Sequence, residues 1–153
     1  MNPMRISRPA AIARIHGGED YPAISGTVSF FPICDGLIVS VSVSGLPSNG
    51  HDRDIFAFHI HEGTRCTGKD FSATGAHFDL QGNPHPYHTG DFPPLFAGHG
   101  KARMEFWTDY FQIKDILGRT IIIHEQEDDL HTQPSGNAGK KIACGVILRN
   151  CCR

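Results

Sequence analysis

His59 and His61 stand either side of one isoleucine in "FHIH". Successive side chains of a strand alternate faces, so residues i and i+2 share a side at about 7 Å, within chelating reach. A second set follows in "HPYHTGD", where His85, His88 and Asp91 recur every third residue among prolines and a glycine that stiffen the loop. His77 in "GAHFD" and His124 at the end of "TIIIH" add two more imidazoles. Neutral imidazole binds zinc or copper, and a carboxylate completes a four-ligand zinc shell. Either cluster alone could be a solvated polar stretch. Together, in a chain with ten histidines, they point to a metalloprotein.

The elements that must carry these residues read as strands. "GLIVSVSVSGLP" alternates Leu37, Val39, Val41 and Val43 with Ser40, Ser42 and Ser44, the pattern of a half-buried strand. "AIARIHG" and "GTVSFFP" are two shorter strands, with "PICDG" turning the second onto the third. "FAFHIH" reads as one strand, followed by a long irregular region from Glu62 to about Phe96; loops of such length are usually functional or disordered. "GHGKARMEFWT", "RTIIIHE" and "KIACGVILR" are strands again, with room for one helical turn in "DYFQIKDILG". Short strands, two long loops and no amphipathic helix predict an all-β, eight-stranded antiparallel sandwich or flattened barrel.

The 153 residues fit a single domain, 1–153, able to bury a real core. The net charge is −2, and no basic stripe suggests nucleic-acid binding. No apolar run is long enough for a membrane span, and "MNPMRISRPAAIARIHGG" lacks the apolar centre of a secretory signal. The chain as written reads as unexported, although a removed leader would leave the same sequence, so the compartment stays open. Five cysteines cannot all pair within one molecule, and their spacing fits neither a dense disulfide scaffold nor a Cys-x2-Cys zinc site. One internal bridge plus loose thiols is the expectation.

In order along the chain, "FHIHE", "GAHFD", "HTGD", "GRTIIIHE" followed by "DDL", and "GNAGKKIACGVI" resemble the copper-zinc superoxide dismutase family from about Phe58 to Ile147. The resemblance implies an immunoglobulin-like Greek-key sandwich. It also implies conversion of superoxide to oxygen and hydrogen peroxide, by alternate reduction and oxidation of a histidine-bound copper beside a structural zinc. Matching positions assign copper to His59, His61, His77 and His124, and zinc to His77, His85, His88 and Asp91. His77 would bridge both metals and serve as general acid. Asp128 corresponds to an acid that orients His59 and His85, with Asp129 as the neighbouring alternative, and Cys66 and Cys144 to a disulfide. Lys141 stands where the family usually has an arginine that attracts the anion; it keeps the charge but loses the planar fork. Ser135 matches a small hydroxyl residue narrowing the channel. Both functional loops are shorter than in the animal enzymes, as in bacterial members.

Two rival readings remain. A copper-binding carrier on the same fold would use the tail thiols Cys151 and Cys152, since fold does not fix function. A zinc hydrolase would need an open coordination position, with Glu62 as base. His16, His51 and His99 read as surface residues, His131 lies in the channel loop, and Cys34 falls in a predicted turn. Superoxide is the expected partner, with no nucleic acid or membrane, and a homodimer is compatible with the resemblance.

Overall fold

A computed structural model describes residues 8–48, 50 and 53–151. Among these residues nine strands run β1 (Ala11–Gly17), β2 (Ser25–Ile33), β3 (Gly36–Ser44), β4 (Arg53–Phe56), β5 (Phe58–His61), β6 (Leu95–Gly98), β7 (Lys101–Thr108), β8 (Thr120–His124) and β9 (Lys141–Arg149). The valines and leucine of β3 are buried and its serines are not, so the period-2 pattern does set which face meets the core. The helical turn in "DYFQIKDILG" is α1 (Ile113–Ile116), which tucks Ile116 into the same core.

The antiparallel strands form one sheet in the order β4-β6-β7-β3-β2-β1-β9-β8-β5. β4, β6 and β7 lie side by side and β3 sits beside β7, which is a Greek key. The strand count is nine rather than eight because "FAFHIH" is a single extended run that changes partner. Residues up to Phe56 pair with β6, whereas those from Phe58 pair with β8. Ala57, at the change, donates its N–H to Gln126 O and accepts from His124 N. One run of chain thus provides both outermost strands, and the sheet wraps into a flattened barrel. A partner change leaves no mark in the alternation, since Phe56, Phe58 and Ile60 all face the core. β6 was also hidden, at the end of the stretch that reads as irregular.

Two connections roof the barrel's outer surface: residues 62–94, between β5 and β6, and residues 125–140, between β8 and β9. The first is pinned by the Cys66–Cys144 disulfide, whose halves are 78 residues apart. Beside it, Phe71 packs on Ile122 and Cys144, directly opposed residues of β8 and β9. Among the described residues no helix is long and apolar enough to cross a membrane.

Candidate metal centre

Strand alternation turns Phe58 and Ile60 into the core and His59 and His61 out beneath the loops. β8 delivers His124 where its register against β9 shifts, between Ile123 and His124. The long loop folds back on β5 through two isolated bridges, His59 with Asp91 and His61 with His77. Two groups result: His59, His61, His77 and His124, and His77, His85, His88 and Asp91, each with its candidate ligand atoms within 4.8 Å of one another. His77 belongs to both. Every histidine of the first group is buried.

Hydrogen bonds decide which nitrogen of each ring carries the proton. Asp128 accepts from His59 Nε2 at 2.7 Å and from His85 Nε2 at 2.8 Å. Burial opposes ionisation of Asp128, but these two bonds and one from Leu130 N–H outweigh it and hold the carboxyl well below the usual carboxylate range. His61 Nδ1 donates to Gly75 O at 2.8 Å, and His124 Nδ1 to Gly139 O at 3.3 Å. A carbonyl can only accept, so in each ring the other nitrogen presents a lone pair. His61 Nε2 and His124 Nε2 then face each other at 3.2 Å, lone pair to lone pair. His59 Nδ1 and His77 Nε2 are buried without a partner. On the far side of His77, its Nδ1 lies 2.7 Å from Asp91 Oδ1. His85 Nδ1 and His88 Nδ1 each lie 3.0 Å from Asp91 Oδ2 yet are not aligned for a hydrogen bond.

Protons do not resolve this crowding at neutral pH. Burial lowers the pKa of His59 to about 4, against the bond to Asp128, and that of His124 to about 3. Burial, then the neighbouring His124 and His77, lowers His61 as well. Converging lone pairs on neutral rings fit a cation. An all-imidazole group suits copper, and three imidazoles with a carboxylate suit a closed zinc shell.

Other predicted residues divide. Of the two adjacent acids, Asp128 bridges the groups, whereas Asp129 ties down its own loop through His131 N and Thr132 N. Lys141 Nζ bonds Thr74 Oγ1 and Gly75 O, both at 2.9 Å, and its charge acts on His61 and His124. Ser135 is half-buried next to Gly136. Cys66 and Cys144 are bonded. Glu62 is exposed, with its carboxylate on Ala76 N, and belongs to neither donor group. Cys34 and Cys151 are exposed thiols outside both groups; Cys152 and His51 lie outside the described residues. His16, His99 and His131 are exposed.

Several contributors escaped sequence reading. The carbonyls of Gly75 and Gly139 orient two rings, but a backbone acceptor has no residue-type signal. Gly136 has φ +71°, and a Cβ there would fall 2.0 Å from Asp128 Oδ1 and 2.6 Å from His85 Nε2. Its place in "GNAG" was the one available hint.

The family profile described as "Copper/zinc superoxide dismutase (SODC)" matches residues 24–147. The chain belongs to this family. The copper-zinc superoxide dismutase of Deinococcus radiodurans is 37% identical over 81% of this chain and 77% of its own length. That of Caulobacter vibrioides is 32% identical over 90% of this chain and 85% of its own. A crystal structure of a point mutant of a superoxide dismutase-like protein from Bacillus subtilis superposes with a TM-score of 0.77, at 30% identity over 90% of this chain and 97% of that one. The family profile and the two named dismutases favour an enzyme over a copper carrier.

Proposed function

We propose that this chain is a copper-zinc superoxide dismutase, converting two superoxide anions and two protons to dioxygen and hydrogen peroxide. Copper is assigned to His59, His61, His77 and His124, and zinc to His77, His85, His88 and Asp91. The observation that carries the reading is the pair of four-residue donor groups sharing His77. When bound, copper supplies a one-electron couple, while zinc has no redox change and supplies charge and rigidity.

The side chains supply the rest. Asp128, Gly75 O and Gly139 O hold four rings in the tautomers that present lone pairs inward. Lys141 sets a positive charge at the edge of the first group, on the same Gly75 carbonyl that orients His61. A cationic cleft of this kind raises the encounter rate of a small anion by roughly 10- to 1,000-fold. With Nδ1 of His77 turned to the zinc group, its buried, unpartnered Nε2 faces the first group and would carry the ring's proton there once Nδ1 is held by the metal, where the product peroxide needs one. Burial of all four rings admits only small reactants.

The test is metal analysis of the reconstituted protein together with stopped-flow superoxide decay. One copper and one zinc per chain with catalytic decay supports the proposal; copper held without turnover refutes it and returns the carrier reading.

A further inference from the structure

His85 sits in "NPHPYH", between two prolines and outside every strand, yet it is buried. Prolines lack an N–H, so this stretch has little backbone hydrogen bonding of its own. His88 and Asp91 secure each other, His88 N to Asp91 Oδ2 and Asp91 N to His88 O. His77 is held by its bridge to His61. For His85 the support comes from across the site. Gln133 Oε1 accepts from His85 N at 3.0 Å, and Gln133 Nε2 donates to His85 O at 2.6 Å. Gln133 Nε2 also faces His131 O at 3.3 Å, so the amide's NH2 end meets two carbonyls and its orientation is determined.

We propose that Gln133 is a positioning residue for the zinc group: its side-chain amide splints the backbone of His85 and thereby couples the 125–140 loop to zinc affinity. The inference rests on the zinc assignment above. Asp128 aims the ring through Nε2, and Gln133 fixes the main chain on which that ring turns. The loop therefore grips His85 at three atoms. A buried main-chain N–H and C=O that lose their partner cost free energy, so without Gln133 the segment relaxes and His85 Nδ1 drifts from the point shared with His88 and Asp91.

Two variants test it, each titrated with Zn(II) and Cu(II) against competing chelators and with Co(II) as an absorbing probe of the zinc group. Gln133→Ala removes both bonds. Gln133→Glu keeps the size and the acceptor but turns an oxygen toward two carbonyls. Both are expected to weaken zinc by about 10- to 100-fold, shift the Co(II) bands and leave copper within about threefold. Zinc within about twofold of wild type in both variants overturns the inference. So does a parallel fall of zinc, copper and metal-free melting temperature, the mark of a general structural role. Wild-type protein that takes up no zinc overturns the underlying assignment instead.

Discussion

Substituting Gly136 by alanine tests the claim that backbone proximity, and not residue type alone, sets the metal centre. The new Cβ would stand 2.0 Å from Asp128 Oδ1, whereas ordinary contact begins at 3.4 Å. The carboxylate must retreat by roughly 1.4 Å, which carries its bond to His85 beyond hydrogen-bonding range. Losing a charge-assisted hydrogen bond costs about 1.5–3 kcal/mol, and the left-handed backbone adds about 1–2 kcal/mol for a residue with a Cβ. Gly118 is the matched control, with φ +80° and nothing within 4 Å of its Cβ position. Gly118→Ala should therefore cost only the backbone part, about 1–2 kcal/mol, and leave both metals untouched. Denaturant titration of the metal-free variants should separate them by about 1.5–3 kcal/mol, with zinc about 10- to 100-fold weaker in Gly136→Ala alone. Equal stability losses and equal zinc affinities in the two variants would refute the reasoning.

Lys141→Ala should retain copper but slow superoxide decay by at least about tenfold at low ionic strength and flatten its salt dependence; wild-type kinetics would remove the steering role. His59 and His124 titrate near 4 and 3 when folded against about 6.5 when unfolded, so the unfolded chain binds more protons between those values. Stability of the metal-free protein should thus fall as pH drops from about 6.5 toward 4, by about 3 kcal/mol for His59 alone. A denaturation midpoint that stays flat from pH 7 to about 4.5 contradicts this. Replacing Cys66 and Cys144 by serine should cost roughly 2–5 kcal/mol by denaturant titration. The same change loosens the loop carrying Thr74 and Gly75, so Lys141 should lose its salt-dependent effect on rate; a salt dependence equal to wild type's would show the anchors need no disulfide.

The two candidate donor groups were readable because metal chemistry restricts residue type and strand geometry restricts spacing. His59 and His61 needed only a period of two, and His85, His88 and Asp91 only a stiff loop. What joins the two sets is tertiary. His124 reaches His61 by strand pairing, and nothing in "TIIIH" says which strand lies beside it. The change of partner at Ala57 was hidden for the same reason, because alternation continues unbroken across it. Asp128 and Asp129 are chemically equal and adjacent; only the path of the loop points one inward. Gln133 is an exposed amide of the commonest surface kind, and its role depends on a peptide group 48 positions away.

Because Arg53–His61 forms both borders of the sheet, the barrel is fastened along a seam between β5 and β8. His59 and His61 lie on one side of that seam and His124 on the other, so an ion held among them works as a rivet. Without it, β5 is held by its pairing with β8 and by buried Phe58 and Ile60 alone, and its separation would bare one backbone edge of Thr120–His124 with its three consecutive isoleucines. Such a border is adhesive toward other strands. Copper supply is therefore expected to bear on keeping neighbouring chains apart, and more light scattering from metal-stripped than from loaded samples should report it.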